Sequence, residues 1–251
     1  MSFTRSLPSI VRLHPEMKLG GYSAYDGTIE FYGRVKGLVK SQMCVLDFGA
    51  GRGAWYEEED SPIRRDVRLL KGHVSEVIGC DLDAAVLDNK AVDRSVLLRP
   101  DEPWPFDASS IDLIIADYVL EHLADPGAFA SEITRILKPG GWLCARTPTR
   151  YNYVSVLARV VRNVDHARVL RRVQPGRKDV DVFPTLFRLN THSAVRKAFR
   201  PEQFEDCSYL YSFEPQYHFG SAAMYRLLRI AHRFLPTALH ANLFVFLRKR
   251  N

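Results

Sequence analysis

Short apolar runs alternate with segments of helical length along the first 150 residues. Five of these runs have the length and composition of buried strands, at 43–48, about 74–80, 95–98, 111–116 and 142–147. The segments between them include 84–92 and 126–137, and the second has apolar residues at helical spacing. Because strands alternate with helices, the pattern predicts βαβ units and a doubly wound parallel sheet, an α/β fold.

The alternation stops after residue 150. The next segment, 154–173, has the pattern of a helix, and two later runs, 204–213 and 241–251, read as strands. Between these strands lies an amphipathic helical pattern at 224–235. We expect one domain over 1–251, with an N-terminal lid and helix (1–42), a ligand-binding core (43–147), a helical cap that contacts the second substrate (148–205), and C-terminal strands with a helix (206–251).

Charge is distributed unevenly along the chain. The net charge is +6, yet residues 150–251 carry 18 Lys and Arg against 7 Asp and Glu, whereas residues 1–149 carry 17 against 22. A basic half of this kind is typical of proteins that bind phosphate, nucleic acid or a membrane surface. It is equally consistent with solvated helix faces, and the sequence leaves both interpretations open.

The four cysteines favour a reducing compartment. Cys44, Cys80, Cys144 and Cys207 are far apart and form no C-x-x-C pair, so we expect buried small residues rather than a disulfide or metal set. The first 18 residues have too many polar and proline positions for a signal-peptide core. These features together predict a cytoplasmic protein.

A glycine-rich loop follows the first predicted strand. Gly49, Gly51 and Gly53 allow backbone N–H groups to approach a ligand closely, and the string also satisfies the dinucleotide pattern G-x-G-x-x-G/A. Asp47 separates the two interpretations, because a carboxylate beside the loop suits a cationic ligand and sits poorly beside a pyrophosphate. Asp81 ends the second strand, where it could accept hydrogen bonds from both ribose hydroxyls of an adenosine.

The ordered motifs resemble the class I S-adenosylmethionine (SAM) dependent methyltransferases, in detail the small-molecule group called type 11. They are D-x-G-x-G-x-G at 47–53, D-x-D at 81–83, the segment 103–123 and LKPGG at 137–141. The resemblance covers about residues 43–147. It implies a Rossmann-like, seven-stranded, mostly parallel sheet with an antiparallel last strand and helices on both faces.

The resemblance also implies roles for individual residues. The methionine part of SAM would be held by Asp47, Gly49, Ala50, Gly51 and Gly53. Asp81 would bind the ribose, Leu82 would pack on adenine, and Asp117 and Tyr118 would lie beside the methionine tail.

Two departures from the family pattern matter. The acid that often contacts the adenine amino group is displaced by one position, which makes Asp101 only a candidate. Some relatives build a metal site from E-V-x-E-H, but Tyr118 replaces the first glutamate, leaving only Glu121 and His122. Two ligands make a poor divalent site, so we expect no metal.

Methyl transfer to a hydroxyl requires removal of a proton. His122 follows the fourth strand and is the candidate general base, although it could equally brace that turn. Tyr22, Tyr25 and Tyr32 are candidate lid residues over the cofactor or the acceptor, although tyrosines are also common where helices pack. Arg150 and Tyr151 follow the fifth strand at the edge where an acceptor would rest.

Three functions are compatible with these features. The first is O-methylation of a small molecule, sugar, glycan or secondary metabolite, with S-adenosylhomocysteine as the second product. The second is RNA methylation that uses the basic half, and the third is SAM binding without catalysis, as a partner protein. We expect the 224–235 helix to pack its apolar face on the sheet, with a peripheral contact to a membrane surface or lipid phosphate as the alternative.

The first prediction follows from Asp47 and LKPGG. The chain should bind SAM or S-adenosylhomocysteine and not NAD, because Asp47 would repel the NAD pyrophosphate. Titration calorimetry with S-adenosylhomocysteine should give saturable heat. Saturable binding of NAD alone would contradict this interpretation of the loop.

Overall fold

The computed structural model describes residues 8–100, 102–150, 185–212, 221–234 and 241–251. Two candidate site residues, Asp101 and Tyr151, lie outside these ranges, as does the helix expected at 154–173. No helix among the described residues is long and apolar enough to cross a membrane.

The strands form one mixed sheet. They are β1 (Cys44–Phe48), β2 (Glu76–Asp81), β3 (Arg94–Leu97), β4 (Ile111–Asp117), β5 (Leu137–Pro148), β6 (Phe204–Asp206), β7 (Tyr209–Tyr211) and β8 (Asn242–Lys249). The order is β3-β2-β1-β4-β5-β8-β6, with β7 also paired to β8. The first five strands are parallel and β8 runs antiparallel to β5, so the α/β fold with an antiparallel last strand is confirmed.

The eight strands occupy seven positions in the sheet because β6 and β7 share the edge position beside β8. β6 and β7 pair with opposite ends of the same strand, β8. At the break between them, Cys207 N–H donates to the Phe246 carbonyl and the Ser208 hydroxyl accepts from Phe246 N–H. The expected strand at 204–213 is therefore one edge strand that a local irregularity divides in two.

The described helices are α1 (Pro8–Leu13), α2 (Gly27–Leu38), α3 (Ala54–Glu58), α4 (Pro62–Arg68), α5 (Pro126–Ile136), α6 (His192–Ala198) and α7 (Ala222–Phe234). Short 3₁₀ helices span Pro15–Lys18 and Ala84–Asp88. Side-chain caps begin several helices: Asp26 accepts from the first turn of α2, and Asp125 does so for α5.

Alternating strand residues fill one core on each face of the sheet. On one face, Leu46 and Ile114 pack with Phe129 and Ile133 of α5. On the other, Val45 and Leu113 pack with Phe31 of α2. This is the period of two that buried strands require, and it places Asp47, two residues after Val45, on the α2 face.

The helix expected at 84–92 is shorter than predicted. The 3₁₀ turn ends at Asp88, and the next residue, Asn89, turns its side-chain amide toward the carbonyl groups of Ala50 and Gly51. Its Oδ1 accepts from Ala91 N–H, which redirects the backbone. A long-range contact therefore overrides the local helical pattern.

The segment between the glycine loop and β2 forms two short helices. Glu57 and Glu58 belong to α3, and Glu59 joins a buried ion-pair group with Arg64 of α4. Arg64 also pairs with Asp26 at 2.7 Å and donates to the Gly21 carbonyl at 2.9 Å. These contacts attach the N-terminal segment to α4 beside the loop.

Candidate functional site

The glycine loop follows β1 at the point where the chain order in the sheet reverses. β2 and β3 lie on one side of β1 and β4 lies on the other, and in open α/β sheets ligands bind at the carboxyl ends of strands beside such a point. Gly49 and Gly53 have φ values of 73° and 64°. A Cβ at Gly49 would lie 2.4 Å from Val119 and one at Gly53 2.1 Å from Asn89, so both positions need glycine.

Hydrogen bonds to β2 and to Asn89 fix the glycine loop in place. Gly49 N–H and Ala50 N–H donate to the Cys80 carbonyl at 2.8 and 3.1 Å. Asn89 is 6% exposed and donates to the carbonyls of Ala50 and Gly51 at 3.2 and 3.1 Å. Sequence reasoning missed Asn89, because a single asparagine 36 residues after the last loop glycine carries no local signal.

Asp81 joins the loop to the end of β2. Its Oδ2 accepts from Gly51 N–H at 2.9 Å and its Oδ1 accepts from Asp83 N–H at 3.0 Å. Each carboxylate oxygen keeps acceptor capacity for a ligand hydroxyl. Leu82 beside it is 63% exposed, an apolar surface of the kind a flat base would cover. The ribose and adenine roles therefore stay predictions with compatible geometry.

A buried charge cluster lies on the α2 face of the same sheet edge. Arg146, near the end of the adjacent β5, donates to both oxygens of Asp117 at 2.5 and 3.0 Å. Arg68 and the Tyr32 hydroxyl donate to Asp117 Oδ2 at 3.3 and 3.0 Å. Burial opposes ionisation, but the two guanidinium groups outweigh it and lower the pKa of Asp117.

Asp47 is the second carboxylate of this cluster. It accepts no hydrogen bond from any residue that the structure describes, although Asp117 and Arg68 are close enough to affect its charge. Burial, and then repulsion from Asp117, raise the pKa of Asp47 to about 7, with Arg68 opposing the rise and Asp81 adding to it. Such a carboxylate is available to accept N–H groups from a cationic ligand.

Arg68 is a site residue that the sequence reasoning missed. Its guanidinium lies 4.5 Å from the Trp55 ring centroid and 5.2 Å from that of Tyr32, while its Nε is buried without a hydrogen-bond partner among the described residues. Together with Asp47 it lines a small cavity beneath the loop. A carboxylate next to a guanidinium is complementary to the ammonium and carboxylate of an α-amino acid, which is the methionine part of SAM.

The turn after β4 carries two of the predicted site residues, Tyr118 and His122. Tyr118 has φ 57°, a left-handed conformation that is uncommon for a bulky residue and that occurs often at functional sites. Its ring lies 4.8 Å from the Arg146 guanidinium carbon. His122 is half-buried in the same turn, and its backbone N–H donates to the Val119 carbonyl.

Behind His122, Glu121 is 5% exposed and accepts from the Thr147 hydroxyl at 2.8 Å. Asn190, which precedes α6, donates to the Thr147 hydroxyl and to the Pro148 carbonyl. This buried polar group connects the β4 turn to the end of β5 and to α6. Among the described residues no group of three or more His, Cys, Asp and Glu could hold a metal ion.

The remaining candidates lie around this edge. Tyr22 is close to Gly20, whose backbone carbonyl accepts a hydrogen bond from the hydroxyl of Ser61, the cap of α4. Tyr25 is 48% exposed and contacts His14 and, on α7, Arg229. Arg150 is exposed and its backbone N–H donates to the Asn190 carbonyl. The acceptor roles of these residues stay predictions.

The sheet order, the loop and the strand-end carboxylates define a class I SAM-binding fold. Comparison with known families agrees: the methyltransferase domain family matches residues 25–206. The chain belongs to this family, and its cofactor is SAM.

Individual relatives match over shorter stretches. A probable SAM-dependent methyltransferase of Mycolicibacterium smegmatis is 39% identical over 112 residues, 43% of this chain and 39% of that protein. A ubiquinone biosynthesis O-methyltransferase of Caulobacter vibrioides is 36% identical over 72 residues, 29% of this chain and 27% of that protein. The matched stretches therefore span less than half of either curated relative.

A solved structure extends the similarity of the fold to most of the chain. The YcgJ protein of Bacillus subtilis has a TM-score of 0.52 at 19% identity, over 88% of this chain and 99% of that one. Identity at this level supports a shared fold and not a shared substrate.

Asp47 generates a prediction that separates a binding role from a structural one. Below pH 7 its carboxyl is protonated and cannot accept the ligand ammonium, so the affinity for S-adenosylhomocysteine should fall about tenfold per pH unit below 7. In Asp47→Asn the pH dependence should disappear, and the affinity at pH 7.5 should be about 10- to 100-fold weaker. Calorimetry between pH 5.5 and 7.5 measures both.

The same variant should stabilise the free protein. The folded-state pKa of Asp47 lies above its ordinary value of 3.8, so the free energy of unfolding falls as the pH rises from about 4 to 7. Asp47→Asn should therefore raise the melting temperature at pH 8 by about 2 °C or more, while the exposed control Asp88→Asn changes neither stability nor affinity. A lowered melting temperature in Asp47→Asn would show that the carboxylate is structural.

Asp81 is tested by a substitution that preserves its contact with the loop. Asp81→Asn keeps an oxygen for Gly51 N–H but loses the acceptor for Asp83 N–H and the charged acceptor for the ribose. S-adenosylhomocysteine should therefore bind about 10- to 150-fold more weakly, while the melting temperature falls only by the loss of one partly buried hydrogen bond. Asp83→Asn, at the neighbouring helix cap, is the matched control. Equal affinity of Asp81→Asn and wild type would remove Asp81 from the site.

Proposed function

We propose that this chain transfers the methyl group of SAM to a hydroxyl of a small molecule, with sugars, glycans and secondary metabolites as the acceptor class. The observation that carries the cofactor half of the proposal is Asp47, an unpaired carboxylate with a pKa near 7 beside a loop that needs glycine. SAM carries an ammonium and a sulfonium, so an ionised carboxylate at this position would accept the ligand ammonium.

The chemistry requires little from the protein beyond alignment. SAM supplies an activated methyl group when it is bound, and this chain's residues orient the cofactor and the acceptor. The loop and Asp81 would hold the cofactor at the ends of β1 and β2. Tyr118 and His122 follow β4 on the open side of the same edge, where an acceptor hydroxyl would approach.

A hydroxyl acceptor favours a residue that can remove its proton, and His122 is the candidate. Its turn is braced by Glu121, whose backbone carbonyl accepts from Leu186 N–H at 2.7 Å and from Phe187 N–H at 3.1 Å. A braced turn supports a fixed position for the imidazole. The Caulobacter relative is named as an O-methyltransferase, which supports oxygen as the acceptor atom.

The experiment is transfer of radiolabelled methyl from SAM to a panel of hydroxyl compounds, with RNA as a separate arm. Label in a sugar or phenol supports the proposal. Label in RNA, at a rate that falls steeply with salt, would replace it with nucleic-acid methylation through the basic residues of 150–251. Binding of S-adenosylhomocysteine without transfer to any acceptor would indicate a partner protein without catalysis.

With an acceptor identified, His122 is tested directly. His122→Ala should lower kcat by about 10²- to 10⁴-fold, because a positioned base contributes that much, while SAM affinity stays the same. The control is His73→Ala, which replaces an exposed histidine before β2 and should change neither kcat nor SAM affinity. A loss below threefold with an alcohol acceptor would assign the base to another residue.

A further inference from the structure

Helix α7 packs on the N-terminal segment through one buried side chain. Tyr225 is 1% exposed, and its hydroxyl lies 2.6 Å from His14 Nε2. Met17 packs against the same tyrosine, with Leu13 beside it. The inward face of α7 is therefore the one that carries Tyr225.

The opposite face of α7 carries its large apolar side chains. Met224, Leu227, Ile230 and Phe234 are 40%, 61%, 58% and 79% exposed. Their spacing of three and four residues places them in a single stripe, on the side of the helix away from Tyr225. A surface helix normally turns such a stripe toward the core, so the orientation of α7 is inverted. A stripe of this kind marks an interaction surface.

The charge of α7 identifies the kind of surface that the stripe fits. The helix sequence contains Arg226, Arg229 and Arg233 and no acidic residue. Arg226 is exposed on the arc between the Tyr225 face and the apolar stripe, whereas Arg229 lies on the Tyr225 face and contacts His14 and Tyr25. An apolar face bordered by basic charge is the arrangement of helices that lie in the interface of a bilayer.

We propose that the outer face of α7 docks on a membrane surface that contains anionic lipids. Leu227, Ile230 and Phe234 enter the boundary between headgroups and acyl chains, and Arg226 contacts the lipid phosphates. The helix lies parallel to the surface and does not cross it. The charge complementarity between this basic helix and anionic headgroups favours this occupant over an apolar protein surface.

The place of α7 in the fold gives the docking a consequence. β7 ends and β8 begins opposite the end of β5, so the segment that contains α7 leaves and re-enters the sheet at its carboxyl edge. That edge also carries the glycine loop and the β4 turn. A docked helix would therefore hold this edge beside the bilayer, where amphiphilic acceptors are present. The docking itself does not depend on the reaction and is tested without it.

The experiment is cosedimentation of the full chain with vesicles of phosphatidylcholine alone or with 30% phosphatidylglycerol. The wild type should bind the anionic vesicles, more weakly as salt rises, and the neutral vesicles at least about fivefold more weakly. Leu227→Gln/Ile230→Gln should reduce binding by roughly tenfold or more, and Arg226→Gln by about fivefold. Because these side chains are exposed, melting temperature and S-adenosylhomocysteine affinity should stay at wild-type values.

The matched control replaces two exposed apolar residues elsewhere, Ile63→Gln/Leu87→Gln, and should bind vesicles as the wild type does. Equal binding of the α7 double variant and wild type would overturn the proposal, as would no binding to anionic vesicles. Sedimentation equilibrium distinguishes a second copy as the occupant: a dimer that the α7 double variant dissociates, with no vesicle binding, would replace the membrane with a self-association surface.

Discussion

The carboxyl edge of this sheet depends on how its acidic side chains are neutralised. Asp47 and Asp117 lie near the carboxyl ends of adjacent parallel strands on the same face, with Asp47 in register with Ile115, two residues before Asp117. Two buried carboxylates so close repel each other, and neither is easily ionised without a partner. Arg146, in register with Asp117 on β5, and Arg68 from α4 supply the positive charge. Losing one partner of such a buried pair typically costs about 3–5 kcal/mol.

The neutralisation is unequal, and this inequality makes Asp47 the candidate carboxylate for the ligand ammonium. Both arginines donate to Asp117, whereas Asp47 shares only the electrostatic effect of Arg68 and is left with a pKa near 7. A carboxylate that the protein does not satisfy destabilises the free chain and favours a cation that satisfies it. If Asp47 binds the ligand ammonium as predicted, the affinity for SAM and a small loss of stability are two results of the same arrangement.

Contacts between distant parts of the chain complete the edge. The Asp26 cap of α2 reaches Arg64 of α4, which also holds the Gly21 carbonyl, and His14 reaches Tyr225 on α7. The N-terminal segment is thus fixed to the glycine-loop side through α4 and to the C-terminal helix through Tyr225. This double attachment joins α4 and α7 through the N-terminal segment, and it leaves the apolar stripe of α7 facing outward.

Local sequence determined much of this protein. The strand and helix pattern predicted the sheet, because burial on alternate faces of a strand imposes a period of two residues that is visible in the sequence. The order of the motifs located the glycine loop and Asp81 and indicated the family. Tertiary structure alone decided the rest. Asn89 ends a helix that its own neighbours favour, because its amide reaches the loop carbonyls. Arg68, Arg146 and Tyr32 come from three different elements and meet at Asp117 on a fourth. Helix α7 turns its apolar stripe outward, although an amphipathic pattern of this kind predicts burial of the apolar face. These features arise from contacts between residues far apart in the chain, which no local pattern encodes.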